Sequence, residues 1–194
     1  MELKEAVWTR RSVRKFDPTP IEHEVLEEIL QGALMAPSAV NLQPWHFVVL
    51  ESAEAVEEYR AIMREGAKGF LPTLEKRFPD HPEVVEETMS FLSSCGGAPV
   101  VVLAFLNKPA FNERRKSSSH VQSVAAAIQN LVLLAWDKGI SSCWTGAPLS
   151  AGVDGEIEAR FAPEHGDFVA AICMGYSQLT PKAPRRKTDR VVFL

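Results

Sequence analysis

Apolar positions recur at three- and four-residue steps between residues 119 and 138: Val121, Val124, Ala125, Ile128, Leu131, Val132 and Ala135. That spacing predicts the strongest helix of the chain, with Gly139 as its stop. Ile21, Val25, Ile29 and Ala33 lie four apart and predict a second helix with one buried face. Thr19-Pro20-Ile21-Glu22 reads as its capped start, and Pro37 as its end. Short helices are expected over residues 3–9, 54–64, 83–91 and 152–161. Apolar runs of strand length occupy residues 45–50, 99–106, 140–144 and 168–174.

Helices and strands alternate only in part, and the N-terminal third is mostly helical. This favours an α+β fold with a central mixed sheet flanked by helices, ahead of a fully wound parallel sheet. One domain over residues 1–194 is expected. Residues 66–94 hold two glycines and three prolines and follow no clear pattern, and residues 107–119 read as a polar loop.

Composition narrows the class. Hydrophobic residues make up 46% of the 194, enough for a continuous core. The net charge of −4 argues against a nucleic-acid binder. Positive charge is local, at Arg10–Lys15 and again at Arg185–Lys187 with Arg190. Cys95, Cys143 and Cys173 match neither a metal motif nor a disulfide framework, and the last two read as buried thiols. The five histidines have no metal-ligand spacing. No signal peptide and no membrane span is read, so a cytoplasmic protein is expected.

Two short motifs carry the candidate chemistry. Arg10-Arg11-Ser12-Val13-Arg14-Lys15-Phe16 concentrates cations and a hydroxyl, and planar guanidinium groups suit a phosphate. Ala36-Pro37-Ser38-Ala39-Val40-Asn41-Leu42-Gln43-Pro44-Trp45 presents a hydroxyl and amides in a turn, which suits a ligand edge of alternating donors and acceptors. Ser38 and Asn41 are also common turn formers, and the basic run is also compatible with a solvated surface. Trp144-Thr145-Gly146 closes a strand beside a small residue where backbone can approach a ligand. Arg14 is the candidate for a fixed cation beside a ring that gains negative charge on reduction. No Walker, G-x-S-x-G or G-x-G-x-x-G pattern occurs.

Taken in order along the chain, these motifs resemble the nitroreductase family of FMN-dependent oxidoreductases. The resemblance continues through Ala125–Leu131, Gly139-Ile140, Cys143-Trp144, Gly175-Tyr176 and Arg185-Arg186 before Val191-Val192-Phe193. It implies an intertwined homodimer with an extended C-terminal tail, and FMN held at the interface. Arg10, Arg11 and Ser12 would lie near the phosphate and ribityl chain, and Arg14 and Asn41 near the pyrimidine. Pro37, Ser38 and Gln43 would line the site, some from the other subunit. Thr145 and Gly146 would give backbone contacts. Arg185 would reach the phosphate, with Arg186 or Lys187 as alternatives in register.

The implied reaction is hydride transfer from NADPH or NADH through the flavin to a nitroaromatic, quinone or related small-molecule acceptor by a ping-pong cycle. The alternatives are the same flavin fold used for dehalogenation, dehydrogenation or flavin cleavage, and a flavin-binding protein without turnover. Residues 66–119 fall where the family varies its substrate lid, around one core strand. Phe70, Phe91 and Phe111 are candidates there to stack on an aromatic substrate. The chain lacks the Glu-Gly pair that several family members carry after the strand ending at Trp144.

Overall fold

A computed structural model describes residues 1–107 and 118–193. Its centre is a four-stranded sheet made of β1 (Trp45–Leu50), β2 (Val100–Leu106), β3 (Ser141–Thr145) and β4 (Phe168–Gly175), in the order β1-β2-β4-β3. All three strand pairings are antiparallel. The parallel component expected of a mixed sheet is confined to one isolated bridge, Ser12 to Ser142 on the outer edge of β3. A fully wound parallel sheet is thereby excluded.

The helices are α1 (Leu3–Thr9), α2 (His23–Ala33), α3 (Ala53–Arg77), α4 (Pro82–Ser94), α5 (Ser118–Asp137), α6 (Ala147–Ala151) and α7 (Asp154–Phe161). Every residue of β2 is buried, because helices cover both of its faces. Val101, Leu103 and Phe105 face a core shared with Tyr59 and Met63 of α3, Phe91 of α4 and Ile157 of α7. Val100, Val102 and Ala104 face the opposite core, built with Leu26 and Ile29 of α2 and Ile128 and Leu131 of α5. The alternation of side chains along a strand divides the two cores.

Several expected boundaries shift, and two of the differences have a physical reason. The second helix starts at His23, three residues after the anticipated proline, with no side-chain cap at Glu22. Ile21 is buried instead, in the residues before the helix that have no regular secondary structure. The helix expected over 54–64 runs on to Arg77 through Gly66, Gly69 and Pro72. Gly66 is needed there: a Cβ would lie 2.6 Å from Val153 Cγ1, so α3 approaches the α6–α7 junction only without a side chain. Ser52 caps the start of α3 by accepting the Ala55 N–H at 3.1 Å. The patternless stretch from 66 to 94 is thus mostly two packed helices, α3 and α4.

All three cysteines are free and buried, and Cys143 pairs directly across the sheet with Cys173. Burial pushes the Cys143 thiol up against the nearby charges of Arg14 and Arg10. On β1, His46 stacks on His165, with ring centroids 3.4 Å apart and planes 12° off parallel.

Burial, then the proximity of His165, holds His46 below the ordinary imidazole range. The folded state therefore binds fewer protons there than the unfolded chain. Its contribution to stability is complete above the unfolded pKa of about 6.5 and is lost as pH falls through the lower folded pKa. His23 shifts the opposite way through its hydrogen bond to Glu51, so wild type alone gives a mixed profile. The difference between wild type and His46→Phe isolates the effect. Melting curves across pH 7.5 to 5 should show the wild type losing more stability than the variant toward acid. Parallel profiles would remove His46 from the pH response.

Candidate active site

The site begins where α1 ends. Thr9 Oγ1 accepts from Trp136 Nε1 at 2.9 Å, and the N-terminal amine pairs with Asp137 at 2.6 Å, so α1 is fixed to the end of α5. Arg10 leaves the helix in extended conformation. Arg11 Nη1 donates to the carbonyls of Trp8 at 2.9 Å and Arg10 at 2.7 Å, satisfying orphan acceptors at the helix end. The chain then runs beside the edge of β3. The Val13 N–H donates to Ser142 O at 3.0 Å, Val13 is fully buried, and the Phe16 N–H donates to Gly96 O at 2.8 Å. A local basic run is thereby converted into a rail along the sheet edge.

Arg10 and Ser12 open into a cavity of about 270 Å³ completed by Gln129 and Val132 of α5, Trp144 of β3 and Gly146. Burial, then the charges of Arg11 and Arg186, hold the half-buried Arg10 guanidinium below the usual arginine range. The tail thus brings Arg186 within electrostatic reach of Arg10. Among the described residues no carboxylate forms an ion pair with Arg10, Arg11, Arg14 or Arg186. A half-buried cation with cationic neighbours and no acidic partner is a site that gains from an anion. Arg14 and Arg10 both act on Cys143, one residue before Trp144, so Arg14 lies on the same edge although it does not line the cavity.

The second motif forms a separate feature. Ser38 Oγ accepts the Gln43 N–H at 3.0 Å, Ser38 O accepts the Asn41 N–H at 3.1 Å, and Gln43 Nε2 donates to Asn41 Oδ1 at 3.2 Å. Val40, Asn41 and Gln43 all have positive φ, at 46°, 57° and 49°. Left-handed backbone at a β-branched valine is rare, and such conformations persist where surroundings over-determine them, often at ligand sites. The Ala39 N–H donates to Ser123 Oγ at 3.1 Å, fixing the turn to α5. Ser123 lies six residues, or about 9 Å of helix, before Gln129. Pro37, Ser38, Asn41 and Gln43 do not line the Arg10 cavity.

Other expected residues divide. Thr145 Oγ1 accepts the Ala147 N–H at 3.1 Å and shapes the turn that presents Gly146. Arg185, Arg186 and Lys187 lie in the exposed tail beyond β4. Phe91 is buried in the core and Phe70 packs half-buried against it, so both are packing residues here. Phe111 lies outside the described residues. Gln129, Val132 and Trp144 belong to the cavity without having been picked out as contacts. Gln129 is one of three amides on α5, with Gln122 and Asn130, and it acquires meaning only once α5 packs on β3.

A Bacillus subtilis protein named as an NAD(P)H nitroreductase is 29% identical over 192 residues, covering 98% of this chain and 92% of that protein. A BluB-like flavoprotein from Clostridium difficile superposes with a TM-score of 0.77 at 25% identity, covering 100% of this chain and 99% of the other. A nitroreductase with bound FMN from Bacteroides fragilis superposes with a TM-score of 0.75 at 23% identity, covering 100% and 99%. Residues 7–176 match the sequence profile of the nitroreductase family, a span that includes the basic rail, the strained turn and all four strands, and the chain is a member of that family.

Proposed function

We propose that the chain is an FMN-dependent NAD(P)H oxidoreductase that passes electrons to a nitroaromatic, quinone or related small-molecule acceptor by a ping-pong cycle, as a cytoplasmic homodimer. The observation that carries this reading is Arg10: half-buried, flanked by Arg11 and Arg186, without a carboxylate partner among the described residues, and open to a cavity. A phosphate monoester brings nearly two negative charges to that position. The donor set therefore fits FMN. When bound, FMN supplies the hydride chemistry at its N5, so the protein needs no acid–base pair of its own.

The residues divide the remaining work. Arg10, with Arg186 or Arg185 from the tail, holds the phosphate; Arg11 adds charge while its Nη1 stays on the helix carbonyls. Ser12 offers a hydroxyl beside them. Gly146 admits close approach of backbone to the ring, and Arg14 supplies fixed positive charge near it. The cavity of about 270 Å³ falls just under the usual range for ligand pockets, which begins at roughly 300 Å³. A second copy supplies the missing walls in this reading, with Pro37, Ser38, Asn41 and Gln43 reaching the partner's site. Exposed Leu3, Val7 and Trp8 on α1, and Val191, Val192 and Phe193 in the tail, support such an association.

The test is a visible absorption spectrum of the purified protein, repeated anaerobically after NADPH and then NADH. A flavin spectrum that bleaches with either donor is expected. A protein that neither carries nor takes up FMN would overturn the proposal, and a spectrum that persists with both donors would remove the NAD(P)H step.

A further inference from the structure

Cys95, Cys143 and Cys173 all belong to the core that the sheet shares with α3 and α4, and the reading above uses none of them. Cys173 of β4 stands opposite Cys143 of β3 on one side and opposite Val101 of β2 on the other. Cys95 enters the same core from the turn that joins α4 to β2. It is 3% exposed, and Ser94 and Gly97 beside it are exposed, so it lies one layer below solvent.

The backbone at Cys95 is unusual. Its φ is +54°, and Gly96 and Gly97 follow at +64° and +79°. A left-handed helix end ordinarily falls to glycine or asparagine, and a side chain held there against that preference is a pointer to function. Arg60 reaches the same turn. Its Nη2 donates to Ala98 O at 2.9 Å, while its buried Nε has no hydrogen-bond partner among the described residues. The Cys173 S–H donates to the Cys95 sulfur. That bond, then the Arg60 charge, holds the Cys95 thiol below the ordinary thiol range against the opposing effect of burial. The same bond, then burial, pushes the Cys173 thiol up. One sulfur is thereby a nucleophile, and the other keeps its proton in contact with it.

We infer that Cys95 and Cys173 form a redox-active dithiol that hydrogen peroxide closes to a disulfide. The Cys95 thiolate attacks one peroxide oxygen and the O–O bond breaks. The hydroxide released takes up the proton that Cys95 had given up and leaves as water. The Cys173 sulfur then attacks the sulfur of the Cys95 sulfenic acid. An S–S bond forms, the S–O bond breaks, and the hydroxyl leaves with the Cys173 proton as a second water. The two thiols lose two electrons and the peroxide gains them. Gly96, next in the chain, accepts the Phe16 N–H at 2.8 Å, so the pair closes beside the basic rail but outside the Arg10 cavity. Nothing in this chemistry draws on the flavin.

The experiment treats reduced wild-type protein with hydrogen peroxide, alkylates the remaining thiols in denaturant, and maps unreduced peptides by mass spectrometry. Two thiols should disappear together, with Cys95 and Cys173 in one linked pair of peptides and Cys143 alkylated. Dithiothreitol should restore all three. In Cys173→Ala the sulfenic acid has no partner to resolve it, so dimedone should label Cys95 about tenfold more than Cys143. A wild type that keeps three alkylatable thiols, or that links Cys143 to Cys173, overturns the inference. So does a link formed only between two molecules, seen on a non-reducing gel. A folded Cys173→Ala protein labelled first at Cys143 removes Cys95 as the nucleophile and overturns it as well. The linkage is decided on wild type alone, so a variant that fails to fold leaves the test standing.

Discussion

Replacing Arg10 with alanine is expected to weaken FMN binding by on the order of 30- to 150-fold without destabilising the flavin-free protein. A charge-assisted hydrogen bond to a phosphate contributes about 2–3 kcal/mol, and 1.4 kcal/mol is a factor of ten. The second half of the expectation comes from the neighbours. Arg10 is partly desolvated and sits beside Arg11 and Arg186, which disfavour its charge. In the empty protein its removal relieves repulsion, so the melting temperature should stay level or rise. In the flavin-bound protein the same change should lower it, because ligand that binds less tightly stabilises less. This crossing of signs distinguishes a ligand-binding cation from a structural one. Paired melts with and without FMN, together with a titration, measure both halves. Full flavin occupancy of the purified variant, or an equal fall in both melts, would remove Arg10 from the phosphate role. Riboflavin serves as the internal control, since the missing phosphate leaves Arg10 nothing to hold.

Gly96→Ala is expected to be the most damaging small substitution against the basic rail. The residue has φ of +64°, and an added Cβ would lie 2.2 Å from the Arg14 carbonyl oxygen and 2.7 Å from its carbon. Those are backbone atoms, held in place by the Phe16 N–H donating to Gly96 O at 2.8 Å, so neither partner yields cheaply. Left-handed backbone costs alanine about 1 kcal/mol, and the displacement of Arg14 to Phe16 brings the total to about 3 kcal/mol or more. For a chain of this size that is a fall of roughly 6–12 °C in melting temperature. Gly69→Ala is the opposite-sign control: nothing lies within 4 Å of its Cβ, and it sits inside α3. There alanine should stabilise by about 0.5–1 kcal/mol. A Gly96→Ala protein that melts within about 2 °C of wild type would show that the Arg14 segment is free to move. Flavin affinity should fall along with stability, since the displaced segment carries Arg14 and continues the strand-edge chain that bears Arg10 and Ser12.

How far the sequence foretold this depends on how local each determinant is. β1 lies where the apolar run put it, and α5 starts and ends one residue earlier than expected, because a repeating period is written within the element itself. Antiparallel pairing was not legible, since partners such as Val102 and Ile172 lie 70 residues apart. Gly66, Gly69 and Pro72 looked like breakers of α3; tertiary packing of Gly66 against Val153 overrides them. The same rule sorts the site. Arg10 and Ser12 were legible because they are two residues apart, and Gly146 because it follows a strand. Gln129 was not, because only the docking of α5 on β3 brings it to them. Phe91 looked like a stacking surface because an aromatic in an unassigned stretch does not disclose whether it faces inward.

The strand order also carries a consequence for how the molecule is made. β2 is complete by residue 106, and β1 is available to cover one of its edges at once. Its other edge waits for β4, residues 168–175, which must enter between β2 and a β3 already synthesised. Until then the most apolar strand of the chain has one row of unpaired amides and carbonyls. A nascent chain therefore spends most of the second half of its synthesis with an open, aggregation-competent edge, and topology dominated by such distant pairings closes slowly. Changes that delay β4 should appear first as lost soluble yield, before any effect on the melting temperature of the molecules that do fold.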